Sequence, residues 1–348
     1  MSGDEGEEDL SAPHARETTA WFGHAGAERM LLDAYAGGRM PHAWLIGGPA
    51  GIGKATLAYR LARFVLAHPD AGAEPVRSAT SLDVPADHRV VRQIAAQGHP
   101  DLLVLERTVG DRGDTLRSVI AVDDVRRTIP FFGSTAGEGG WRIVIVDAAD
   151  ELNAAGANSL LKLVEEPPPR ALFLIVSHAP GRVLATIRSR CRRLVLRPLA
   201  EDEVARAAAA ALGIDPDDSR IRKAAAVADG SVGRAIAMLG GPLMAVRERV
   251  TEMLARLPAT DPRALHALGD SLERADRAVL GIFIDTVRDW LSAQLRAGGQ
   301  SGAPIRLARL ADAWDKVGRS ARDTEMFNLE RKPLVFNVFT WLAEAARG

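Results

Sequence analysis

The chain has 348 residues, 47% of them hydrophobic and 26% charged, with a formal net charge of -1 at neutral pH. That length exceeds one domain of about 100 to 150 residues, and the balanced charge gives no overall basic field for holding nucleic acid or a membrane surface. A single cysteine, Cys191, excludes an internal disulfide framework and a multi-cysteine zinc site, and it points to a reducing, cytoplasmic setting.

The N-terminus carries Asp4, Glu5, Glu7, Glu8 and Asp9, the opposite of the basic-then-apolar order of a signal peptide. Residues 1–16 are therefore expected to be a disordered acidic tail. No apolar run is long enough to predict a membrane helix. From residue 17 to 198 the pattern predicts one α/β domain. It begins with a helix over 27–35, a strand over 43–46, a glycine-rich turn and a helix over 54–66. Residues 69–98 lose periodicity and carry Pro, Gly, Asp and Ser, which predicts a loop or insertion, expected to be metal-free. Strands follow over 102–105, 142–146, 171–176 and 191–196, with a strand-to-helix segment over 119–132 and helices over 154–166 and 183–188. Strands alternating with helices predict a parallel sheet with right-handed crossovers.

After Pro198 the β-branched runs give way to Ala-rich amphipathic stretches. Residues 199–241 predict a compact helical lid, closed by Gly240, Gly241 and Pro242, and 242–348 a longer helical domain. Trp290, Trp314 and Trp341 sit at helical spacing among apolar neighbours and are expected in a core or subunit interface.

The strongest local feature is Gly48-Pro49-Ala50-Gly51-Ile52-Gly53-Lys54, between a predicted strand and helix. Such a loop aims successive backbone N–H groups and a helix N-terminus at a phosphate, and its lysine reaches the β- and γ-phosphates. The position after the lysine should be Ser or Thr to hold Mg²⁺, and here it is Ala55. Thr56 is one residue further and turned about 100° around the helix.

The apolar strand Ile143-Val144-Ile145-Val146 ends in Asp147, placed to orient a metal-bound water or to cap the strand end. The glutamate that usually follows such an aspartate and activates the attacking water is replaced by Ala148. Ser189-Arg190-Cys191 lies between a helix and the last strand. Its guanidinium suits an arginine finger reaching a neighbour's γ-phosphate; with Arg188, Arg192 and Arg193 alongside, it equally suits a solvated basic edge.

These features occur together with Trp21-Phe22-Gly23-His24, His42-Ala43-Trp44-Leu45-Ile46, His99-Pro100-Asp101-Leu102, Asn158-Ser159-Leu160-Leu161-Lys162 and Glu165-Glu166-Pro167. In this order, over residues 20–200, they resemble the delta-prime family of the bacterial DNA polymerase III clamp loader, in the AAA+ class. The tail stretch Asn328-Leu329-Glu330-Arg331-Lys332-Pro333 resembles the same family. The resemblance implies an AAA+ P-loop domain, a helical lid and an all-helical collar that joins sister subunits. It further implies a fixed, non-hydrolysing stator within a five-subunit ring that uses ATP to open the sliding clamp and place it on primed DNA. The implied partners are the delta and gamma/tau subunits, the polymerase III holoenzyme, and the clamp and primed DNA through the complex, without a membrane.

By position, Arg190 resembles the finger offered in trans, and Ser177 or His178 the polar sensor of the γ-phosphate. The candidate nucleotide contacts are thus Gly48, Gly51, Gly53, Lys54, Thr56, Asp147 and Ser177. Gly233 stands at the lid position that usually holds a phosphate-sensing arginine. With Ala55 and Ala148, this implies that no cofactor is required, that ATP or ADP binding is weak at most, and that the isolated chain has no catalytic activity of its own. Some relatives carry a four-cysteine zinc module, but residues 69–98 contain no cysteine, so no zinc is expected. The competing reading is an ATP-hydrolysing AAA+ motor, either the loader's ATPase subunit or a branch-migration helicase. A small-molecule kinase would explain the loop but neither the helical tail nor Ser189-Arg190-Cys191.

Overall fold

The computed structural model describes residues 12–108, 119–133, 140–239, 241–275, 277–301, 304–327 and 329–347. The acidic residues 4–9, Gly240 and Asn328 lie outside the described residues. The chain divides into two compact units, Leu10–Ile236 and Ala237–Gly348.

The first unit begins with α1 (Ala25–Ala36), β1 (Ala43–Gly47), α2 (Lys54–Ala67), α3 (Glu74–Arg77), α4 (Arg89–Ala95) and β2 (Leu102–Glu106). It continues through α5 (Val122–Arg126), α6 (Thr128–Gly133), β3 (Arg142–Asp147), α7 (Ala154–Glu165), β4 (Ala171–Ser177), α8 (Ala185–Arg190) and β5 (Arg192–Val195). Three helices follow: α9 (Glu201–Leu212), α10 (Ser219–Ala226) and α11 (Val232–Leu239), within which the division between the units falls.

The strands pair in parallel in the order β2-β3-β4-β1-β5. A strand covered on both faces must be apolar at every position rather than at alternate ones. In β3, Ile143 and Ile145 pack into one layer with Leu57 and Leu61 of α2, while Val144 and Val146 pack into the other with Leu160 and Val164 of α7. Because the strands are parallel, their C-terminal ends share one edge of the sheet, the edge where crossover loops leave room for ligands. The glycine-rich loop, Asp147 and Ser177 all follow or end strands at that edge.

Two expectations need correction. Residues 69–98, expected to be a loop or insertion, are not a plain loop: α3 and α4 lie there, and Val76, Leu82, Val84, Val90, Val91 and Ile94 are buried in the core with α2. The histidines serve local structure, since the Nδ1 atoms of His88 and His99 accept the backbone N–H groups of Val90 and Asp101. The segment 119–132 begins with a single bridge from Ile120 to Leu152 rather than a strand, and the short helices α5 and α6 follow it.

Residues 12–20 are also tied down, although the acidic tail was expected to run to residue 16. The buried Arg63 donates to the carbonyls of Ala15, Arg16 and Thr18, and Arg60 to that of Thr19. Arg60 is itself paired with Glu28 at 2.7 Å and Asp83 at 3.1 Å.

The regular elements of the second unit's described residues are helices: α12 (Pro242–Ala255), α13 (Pro262–Glu273), α14 (Arg277–Ser301), α15 (Pro304–Met326) and α16 (Arg331–Ala346). Leu268, Leu272, Phe283, Val287, Val317 and Phe339 form the centre of its core, and Trp290, Trp314 and Trp341 pack against it. The stretch around Arg331 joins two helix ends. Glu273, the last residue of α13, accepts the backbone N–H groups of Arg331 and Lys332, and the Arg331 guanidinium donates back to the carbonyls of Leu272 and Ala275. No described helix is long and apolar enough to cross a membrane.

Candidate nucleotide site and arginine edge

The loop between β1 and α2 turns through positive φ at Gly48, Gly51 and Gly53. Its approach is fixed from the N-terminal side. His24 Nε2 lies 3.0 Å from the Ile52 carbonyl, and a Cβ on Gly53 would meet the Trp21 ring at 3.4 Å. The stretch Trp21-Phe22-Gly23-His24 thus braces the loop. From the far side, Ser231 Oγ donates to the Ala50 carbonyl at 3.0 Å and the Gly233 N–H donates to the Gly51 carbonyl at 3.0 Å.

Beside the loop opens a cavity of about 610 Å³, walled by residues that include Trp21, Gly53, Lys54, Thr56, Glu106 and Asp147. Gly51 and Gly233 also line it. Of the expected contacts, Gly51, Gly53, Lys54, Thr56 and Asp147 therefore come together, while Gly48 and Ser177 do not reach the wall. Gly48 instead permits close passage of β5's continuation, since a Cβ there would sit 2.6 Å from the Leu196 carbonyl oxygen. Ser177 is fully buried, its Oγ accepting the Ala179 N–H and donating to Asp150. His178, the other sensor candidate, does line the cavity.

The electrostatics of this cavity are set by burial. Lys54 is 3% exposed and donates to the Pro49 carbonyl. Desolvation lowers its pKa to about 8, against the pull of Asp147 and Asp150. Asp147 is pushed the other way, up to about 6, first by burial and then by Glu106, its partner in register on β2, with Lys54 and His14 opposing. Burial would also raise Asp150, yet hydrogen bonds from the Ser177 hydroxyl and the His178 N–H hold its carboxyl below the ordinary value.

Sequence reading missed Glu106, Arg107 and Glu151, which line the cavity; Arg107 pairs with Glu151 at 2.8 Å. The available signal was an acid ending the strand beside β3.

Arg190 stands apart from this cavity, as the last residue of α8, with 39% of its side chain exposed. Its Nη2 pairs with Glu165 Oε1 at 2.8 Å and its Nη1 donates to the Thr186 carbonyl at 3.0 Å. The neighbouring arginines differ. Arg188 donates to the carbonyls of Pro180 and Gly181, Arg192 lies over the Trp44 ring at 5.1 Å, and Arg193 is exposed. Cys191 is buried, which pushes its thiol up to about 11 and leaves it un-ionised at neutral pH.

A family model described as DNA polymerase III, delta subunit, matches residues 23–200. The DNA polymerase III subunit delta' of Pseudomonas aeruginosa is 36% identical over 165 residues, 47% of this chain and 46% of that protein. Its counterpart in Escherichia coli is 31% identical over 225 residues, 65% of this chain and 62% of that protein. The DNA polymerase III subunit gamma/tau of Mycobacterium tuberculosis is 31% identical over 269 residues, 75% of this chain and 43% of that protein. The chain thus spans about half to three-fifths of the length of these delta' relatives.

Proposed function

The chain belongs to the DNA polymerase III delta-prime family, and we propose that it acts as a non-hydrolysing stator in a replicative clamp loader, lending Arg190 to a neighbouring ATPase subunit. One contrast carries this reading. The phosphate loop is intact in shape but its lysine is turned onto its own Pro49 carbonyl, and Ala55 and Ala148 stand where a metal-holding hydroxyl and a catalytic acid would act. Arg190, by comparison, presents a guanidinium at the surface, and a guanidinium is suited to stabilising charge on a transferring phosphoryl group.

In this reading residues 17–198 are an AAA+ nucleotide-type domain, 199–241 its lid and 242–348 a collar that binds sister subunits. The partners are delta and gamma/tau, with the sliding clamp and primed DNA engaged through the assembly. Residual ATP or ADP binding at Lys54 is weak and needs no metal.

The test is a loader reconstituted with this chain. Arg190→Ala should abolish turnover at the one site it completes, where a finger is worth about 10³ or more, and so lower the loader's ATPase rate, with assembly on gel filtration intact; an unchanged rate overturns the finger assignment. The isolated chain should show no turnover. The motor reading draws on the cavity acids Glu106, Asp147 and Glu151 beside Lys54, and turnover by the isolated chain that is abolished by Lys54→Ala would establish it instead.

A further inference from the structure

We propose that Glu165 is the positioning residue for Arg190, holding its guanidinium in one place at the end of α8 for the neighbour's phosphate; this rests on the finger reading above. The two side chains end two different helices. Glu165 is the last residue of α7 and Arg190 the last residue of α8. Both helix ends are anchored in the same core layer. Val164, next to Glu165, is 1% exposed, and Ile187 and Cys191 bracket Arg190 in that cluster. The backbone on each side is therefore fixed, and the freedom left is that of the arginine side chain itself.

Three contacts remove much of that freedom. Glu165 Oε1 takes Nη2 at 2.8 Å, while the Thr186 carbonyl and Ser189 Oγ take Nη1 at 3.0 and 3.4 Å. A guanidinium carries five N–H donors, so it keeps donors for a phosphate while braced. The placement of Glu165 is otherwise unfavourable, because an acid in the last turn opposes the helix dipole. Arg190 offsets that, and a planar fork held by a carboxylate from one side presents its other edge in a defined direction. Accurate placement of such a group matters to rate far more than the small intrinsic stability of an exposed ion pair.

The experiment uses the reconstituted loader and reads kcat and KM for ATP with Glu165→Gln, Glu165→Asp, Arg190→Ala and the double variant Glu165→Gln/Arg190→Ala. Glu165→Gln should lower the Arg190-dependent part of kcat, the part lost in Arg190→Ala, about tenfold, with KM for ATP and assembly unchanged, and Glu165→Asp should recover part of that loss. If Glu165 acts only through Arg190, the double variant should match Arg190→Ala alone. A Glu165→Gln loader as fast as wild type while Arg190→Ala is slow, or a double variant showing both losses in full, overturns the positioning role and leaves the finger reading standing. Arg190→Ala without effect overturns both.

Discussion

Gly233 and Gly51 meet backbone to backbone: the Gly233 N–H donates to the Gly51 carbonyl at 3.0 Å, and a Cβ on Gly233 would lie 3.2 Å from the Gly51 Cα. The position that in active relatives is expected to hold a sensing arginine is here pressed against the phosphate loop. Gly51 has φ +72°, and a Cβ there would fall 2.3 Å from Ser231 Oγ. Gly51→Ala should therefore cost at least about 2 kcal/mol, from the positive φ and the collision together, and Ser231→Ala about 1 to 2 kcal/mol for its two lost hydrogen bonds, to the Ala50 carbonyl and from the Arg234 N–H. Denaturant unfolding should show the double variant less destabilised than the sum, because Ser231→Ala removes the atom that the added methyl group would strike. Additive losses would mean that the two residues do not share this contact.

The pH dependence of stability should carry the mark of Asp147. Its pKa is raised from 3.8 to about 6 in the folded chain, so between those values the folded state binds more protons than the unfolded one. Stability from this group is present below about pH 4 and lost as pH rises through about 6. Asp147→Asn should therefore be more stable than wild type by about 3 kcal/mol at pH 8, the gain shrinking to nothing near pH 4. Unfolding midpoints taken across pH 4 to 8 check this, and a pH-independent difference would refute it.

The continuous apolar runs made the sheet readable: strands such as β3 and β4 are buried along nearly their whole length, and a sequence shows that without knowledge of partners. The phosphate loop was readable because glycine spacing encodes a backbone path. What escaped depends on tertiary neighbours. The buried residues between Val76 and Ile94 lie on or between helices of only four and seven residues, too short for a helical period to emerge. Ser177 ends β4 where a sensor was expected, but it is fully buried and its hydroxyl is engaged by Asp150 and the Ala179 N–H. Arg60 and Arg63, three apart among the buried apolar residues of α2, were a visible sign that something polar must meet them, though not that it would be residues 15–19.

Arg63 is 3% exposed and burial lowers its pKa to about 10, still leaving it charged at neutral pH. Its donors to Ala15, Arg16 and Thr18 hold residues 15–18 against α2. Arg63→Met keeps most of the packing but leaves those three carbonyls without this donor, so a loss of about 2 kcal/mol is expected. Limited proteolysis should then cut near Arg16 faster than in wild type. Unaltered cleavage would show that other contacts hold the segment.

Glu273 links the end of α13 to the start of α16 by accepting two backbone N–H groups, those of Arg331 at 2.9 Å and Lys332 at 3.0 Å. Helix α16 has no side-chain cap from its own N-cap residue, Glu330, so Glu273 satisfies donors that a local cap would otherwise serve. Its negative charge also complements the positive end of that helix. Glu273→Ala should lower stability by about 1 to 2 kcal/mol, and Glu273→Gln, which keeps an acceptor without the charge, by less. Hydrogen exchange at the amides of Arg331 and Lys332 should accelerate in Glu273→Ala and stay close to wild type in Glu273→Gln. Equal acceleration in both variants would assign the effect to charge alone, and none in either would show that α16 is held by its buried face, through Leu334, Val335 and Val338.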